Sequence, residues 1–150
     1  MAFIDSASFA SIWRGYEYYT EGNVKAFEYC SDKEIKGTVQ GSENNLYTVV
    51  IDPAHPKRST CNCPHAEGKR IVCKHKVALY FAVFPDEATQ YYQEVMKNEM
   101  EEEQRQEELL DKVVQYVGKM KKEELRRELI TLLCEGPEWQ FDRFVRYHIE

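Results

Sequence analysis

The sequence predicts an α+β fold: an N-terminal helix, a small antiparallel β-meander and a metal-clamped helix over residues 1–85, followed by an all-α tail over 86–150. Three observations carry this prediction. Aromatic and aliphatic residues recur at helical spacing near the N-terminus, three β-rich runs separated by turn residues follow, and cysteines crowd into 61–73 just before an apolar run. With 150 residues, 43% hydrophobic and 31% charged, the chain has room for one ordinary domain, or a small domain with a helical appendage.

In the first helix, Phe9, Ile12, Trp13, Tyr16 and Tyr19 share a face. Ser6 or Ser8 is the expected cap, and Gly22 falls where a left-handed residue ends a helix. Strands are expected over 24–30 and 34–40 around the turn Ser31-Asp32-Lys33, and over 46–51, the most β-branched run in the chain. Pro53 and Pro56 break that run, and 57–63 reads as one more extended stretch. Residues 73–84 read as a buried helix, ended at Pro85, with Asp86 capping the next.

The tail carries an apolar helical stripe that lapses over 101–108 and resumes at Leu109, Leu110, Val113, Val114 and Val117. Glu101 with Arg105, and Glu108 with Lys112, are expected ion pairs in the polar stretch. Two shorter helices are expected near 121–135 and 137–148, the second with Pro137 in its first turn. The aromatic residues Trp139, Phe141, Phe144 and Tyr147 either close a small helical core or form a docking surface.

The longest strongly apolar run, Val77 to Phe84, is far shorter than the roughly 20 residues that cross a bilayer. No basic segment followed by an apolar stretch opens the chain, so an intracellular, cytoplasmic protein is expected, away from membranes. Five cysteines, three of them clustered, fit metal ligation better than a disulfide framework.

The cluster reads C-x-C, nine residues, then C-x-H: Cys61, Cys63, Cys73 and His75. Three thiolates and an imidazole form a standard tetrahedral set for one structural zinc ion. Side chains at i and i+2 of a strand point the same way, so Cys61 and Cys63 can grip one ion. Cys73 is expected just before the first turn of the following helix and His75 within it. His65 is the alternative fourth ligand, though its closeness to Cys63 strains the ring geometry. Cys30 and Cys134, each among apolar neighbours, read as small core residues, and His55 and His148 as ordinary surface or packing residues.

The pattern resembles the SWIM zinc fingers, a family that includes chromatin-remodelling ATPases, transposases and ubiquitin-related kinases. Cys63-Pro64, Cys73-Lys74-His75 and the apolar run from Val77 to Phe81 are similar to the family's core. Arg14-Gly15-Tyr16, Tyr18-Tyr19, Gly22, Val24, Val39 to Ser42 and Tyr47 to Val49 resemble the segment before the finger in stand-alone bacterial members, so the likeness extends over roughly 8–84. The family pattern assigns the fourth ligand to His75. It implies a recognition module for nucleic acid or protein, without choosing between them.

Charge favours nucleic acid, and DNA is expected ahead of RNA. Net charge is −6, yet 57–76 holds six basic residues, Lys57, Arg58, Lys69, Arg70, Lys74 and Lys76, against Glu67 alone. Lys69, Arg70, Lys74 and Lys76 are the expected phosphate contacts, with Tyr16, Tyr18, Tyr19 and Tyr47 as stacking candidates. The alternative is a protein-interaction module or adaptor using the finger and the tail. A closed four-ligand site, and no phosphate-cradling glycine loop or nucleophile–base pair, predict neither an enzyme nor a small-molecule substrate.

Overall fold

In the computed structural model, which describes residues 3–149, β1 (Val24–Tyr29), β2 (Ile35–Gln40), β3 (Leu46–Ile51) and β4 (Thr60–Cys61) form an antiparallel sheet in chain order. Register pairs Ile35 with Ile51, Gly37 with Val49 and Val49 with Cys61. Alternation along β2 and β3 therefore buries Ile35, Val39, Val49 and Ile51 on one face and carries Cys61 to the same face. β4 is only two residues long, because Pro56–Arg58 form a 3-10 turn that delays it. Cys63, two residues after Cys61, lies past the end of the strand, in a bend.

Helix α1 (Phe9–Thr20) starts at Ser8, whose hydroxyl accepts the Ser11 N–H, and Gly22 follows it at φ +70°. Ile12, Trp13, Tyr16 and Tyr19 pack on the core, while Phe9 stays exposed. Helix α2 (Lys74–Val83) is buried from His75 through Phe81. Such an all-round apolar helix must lie between two layers. The sheet covers one side, where Gly37 leaves room for Leu79: a Cβ there would meet Leu79 Cδ1 at 2.5 Å. Helix α1 covers the other, where Gly15 lies against Val77. Residues before α1 close the end of this core: Phe3 stacks on Tyr80 at 4.6 Å, and Ala7 bridges to Val72.

Helix α3 runs unbroken over Pro85–Lys119, with Pro85 at its first position and Asp86 inside the helix rather than capping it. The polar stretch 101–108 is helical, but its ion pairs differ from those expected: Lys97 takes Glu101, and Arg105 takes Glu102. Helices α4 (Lys122–Glu135) and α5 (Glu138–His148) follow. Pro137 caps α5 from outside, since its extended ψ of 138° cannot be part of the first turn.

The chain divides into two compact units, Met1–Met96 and Lys97–Glu150. The first contains the core just described. In the second, no described residue is buried. Trp139, Phe141 and Tyr147 are 60%, 47% and 71% exposed, so they do not close an apolar core. Cys30 and Cys134 are also exposed, contrary to the expectation from their apolar neighbours. Cys30 follows an edge strand whose residues are exposed from Lys25 onward. No helix among the described residues is long and apolar enough to cross a membrane.

Candidate metal centre

Cys61, Cys63, Cys73 and His75 meet at one buried point, their ligand atoms all within 4.8 Å of one another. Each arrives by a different local device. The β3 register turns Cys61 inward, the bend after β4 returns Cys63, and Cys73 sits extended (φ −86°, ψ 167°) as the residue before α2. His75 then occupies the first turn of α2, its ring 4.7 Å from Tyr47 and 5.5 Å from Tyr18. The return from Cys63 to Cys73 uses Gly68 at φ +70°, a conformation that costs glycine nothing. His65 is exposed and outside the cluster, which removes it as the alternative ligand.

The donor set and spacing fit a tetrahedral zinc ion. Zn–S bonds of about 2.3 Å place the sulfurs of a tetrahedron about 3.8 Å apart. Cys63 Sγ lies 3.8 Å from Cys73 Sγ, and Cys61 Sγ lies 3.8 Å from His75 Nδ1. Nδ1 is thus the ring nitrogen beside Cys61 Sγ, and the other, Nε2, is buried without a hydrogen-bond partner. Four thiolate and imidazole donors fill a zinc coordination sphere, and the ion's role there is to cross-link β4, the following turn and α2.

Without the ion, the thiols share protons unequally. A hydrogen bond from Cys61 pulls the Cys73 pKa well down against the effect of burial, helped by His75 and by the amide of Lys76. The same bond, with burial, pushes the Cys61 thiol up.

The four cations expected as phosphate contacts separate into three groups. Lys76 is fully buried, its ammonium donating to the carbonyls of Ser59 at 2.7 Å and Ile71 at 2.6 Å, so it cannot reach a phosphate. Burial lowers its pKa, and the three cysteine sulfurs oppose that shift. A site of three thiolates and Zn²⁺ carries a charge of about −1, and one buried ammonium beside it offsets that charge. Lys74 is half-buried and held by Tyr18, donating to its hydroxyl at 2.6 Å and lying 4.1 Å from its ring centre. Lys69 and Arg70 are exposed.

Lys69 and Arg70 line one concave surface with Lys57, Arg58, His55 and Asn62, beside Cys61. None of Lys57, Arg58, Lys69 and Arg70 has an ion-pair partner among the described residues. Asn62 fixes the strand there, its Oδ1 accepting the Thr48 N–H at 2.8 Å. Sequence reasoning counted Lys57 and Arg58 as part of the basic rim without selecting them as contacts; only the turn at 56–58 brings them beside 69–70. The stacking candidates Tyr16, Tyr18, Tyr19 and Tyr47 are half-buried and packed against the core.

The SWIM zinc finger family model matches residues 47–84, from β3 through the end of α2. That span is shorter than the likeness over 8–84 drawn from the upstream motifs. No curated protein and no solved structure matches the chain. A buried three-cysteine, one-histidine cluster in C-x-C-x9-C-x-H order, within a matched span ending at the zinc-clamped helix, identifies what this chain carries: a SWIM zinc finger.

Proposed function

We propose that the finger is a zinc-stabilised recognition module that binds nucleic acid, DNA ahead of RNA, through phosphate contacts from Lys57, Arg58, Lys69 and Arg70. The observation that supports it is the concave surface on which these four exposed cations gather, with Glu67 as its acid. Phosphate neutralisation by unpaired lysines and arginines dominates nucleic-acid affinity. In this reading zinc has no chemical step to perform: it holds β4 against the start of α2, and so fixes the spacing between 57–58 and 69–70. This is a binding module rather than an enzyme.

The test is binding of zinc-loaded protein to labelled single- and double-stranded DNA and RNA, at low and near-physiological salt. Salt-sensitive binding that is lost in Lys69→Glu/Arg70→Glu, with zinc content intact, supports the reading. Absence of binding at low salt removes it. The protein-interaction alternative would then lead, favoured by the exposed apolar residues of α3, α4 and α5.

A further inference from the structure

Asn62 lines the concave basic surface and lies in the chain between two of the metal ligands, Cys61 and Cys63. It is exposed, yet its side chain is held in place. Oδ1 accepts the Thr48 N–H at 2.8 Å, and the Asn62 amide donates in turn to the Thr48 carbonyl oxygen at 3.3 Å. This reciprocal pair continues the β3–β4 ladder one residue beyond Val49 and Cys61. Only the oxygen of a carboxamide can accept a backbone N–H, so the bond fixes which end of the group faces the strand. The Nδ2 amino group is the end left over, and it has no partner among the described residues.

Lys57, Arg58, Lys69 and Arg70 bring charge to this surface but no base selectivity, because phosphates carry no sequence information. A fixed donor beside them is different. In the major groove guanine presents two neighbouring acceptors, O6 and N7, whereas adenine sets an amino donor beside its acceptor and cytosine presents an amino donor. The usual bidentate match for asparagine is adenine, and it needs the carboxamide oxygen as well as the amino group. In this chain that oxygen is already engaged by the Thr48 N–H, which leaves the amino group as the outward reader.

We infer, building on the nucleic-acid reading of this surface, that Asn62 selects guanine on duplex DNA. Its Nδ2 hydrogens donate to guanine O6 and N7 while the neighbouring cations hold the phosphates. Zinc serves this role by clamping the backbone on either side of Asn62. A donor that is already fixed by Thr48 and by the flanking ligands loses little freedom on binding.

Equilibrium binding of the zinc-loaded full chain to labelled duplexes of equal length, at one low salt concentration, tests this. One duplex is built of guanine–cytosine pairs, a second replaces guanine with 7-deazaguanine, which lacks the N7 acceptor, and a third is built of adenine–thymine pairs. Wild type should bind the first about tenfold more tightly than the other two. Asn62→Asp keeps an oxygen for the Thr48 N–H but puts an acceptor where the amino group was, and it should abolish the preference. Thr60→Asp adds the same charge on the same surface, so it should weaken binding to all three duplexes and keep the preference. Zinc content and melting temperature check that both variants fold. Equal affinity of wild type for the three duplexes overturns the inference and leaves phosphate binding in place. A preference that Asn62→Asp retains, or that Thr60→Asp also abolishes, overturns the role of Asn62. No binding to any duplex removes the nucleic-acid reading and the guanine preference with it.

Discussion

The ammonium of Lys76 donates to the carbonyl oxygen of Ser59 at 2.7 Å, in a position with no exposure to solvent. This contact ties helix α2 to the residue just before β4, and so joins the two halves of the zinc site from behind. Lys76→Met keeps the volume but strands the Ser59 and Ile71 carbonyls and leaves the site's negative charge without its neighbour. A loss of about 3 kcal/mol is expected, with weaker zinc retention. Thermal unfolding and competition with a chelator measure the two effects, and an unchanged melting curve would show that the buried ammonium is dispensable.

Gly15 offers a case in which two effects oppose each other. Alanine is the better helix former by about 1 kcal/mol. Yet a Cβ at this position would lie 2.5 Å from Val77 Cβ and 3.0 Å from the Lys74 carbonyl oxygen. The methyl group must push α1 away from α2, which costs up to about 3 kcal/mol. Gly15→Ala should therefore destabilise the first unit by about 2 kcal/mol, and the double variant with Val77→Ala should recover part of the loss. A stabilised single variant would mean that the two helices yield easily.

Removing the metal should unfold the finger. Structural zinc contributes about 10–16 kcal/mol to finger peptides at neutral pH, as much as the whole stability of an ordinary domain. Cys73→Ser, or chelation of the wild type, should abolish cooperative melting of the first unit. Amide hydrogen exchange over 57–84 reads this region by region. Retained protection in the chelated protein would show that the apolar core suffices alone.

If Lys57, Arg58, Lys69 and Arg70 each neutralise one phosphate, the logarithm of the binding constant should fall with the logarithm of salt concentration with a slope of about −3.6 on duplex DNA and about −2.8 on single strands. Each single charge removal should lower the slope by roughly 0.7–0.9 without changing sequence preference. A slope unaltered by Lys69→Ala would assign the contacts elsewhere.

Asp52 sets an acid limit. Burial alone would raise its pKa, but hydrogen bonds from the His55 amide and ring, and from the Ala54 amide, hold it below the usual carboxylate range. A depressed folded-state value means that this stabilisation is complete above the unfolded pKa of about 3.9 and is lost as pH falls through the folded one. Asp52→Asn should cost about 1.5 kcal/mol at pH 7 and make the variant less acid-sensitive than wild type below pH 4. Parallel pH–stability curves for the two proteins would contradict this.

Much of the first unit was legible because its signals are local. Ser8 and Gly22 bracket α1, turn residues separate the strands, and C-x-C with C-x-H names the ligands. Lys76 was misread because residue type suggests a surface cation, while its depth depends on α2 being covered by both the sheet and α1. A warning was present, since Lys76 lies between a ligand and an all-round apolar helix. The separation of Lys69 and Arg70 from Lys74 arises from the turn at 63–68, which the spacing alone does not describe. In the tail, the helical stripes were readable, but periodicity reports which face is apolar and not what lies against it.

The sheet order has a practical meaning for anyone isolating the finger. The stretch that bears the family pattern begins at β3, an inner strand that pairs with β2 along its whole length. A fragment cut at residue 47 would present β3 as a raw edge, uncover Val49 and Ile51, and lose Gly15 and Phe3 from the sides of α2. Backbone groups freed in this way invite pairing between copies. The transferable motif is therefore smaller than the unit that folds, and grafting the signature into another protein would carry the ligands without the walls that hold them.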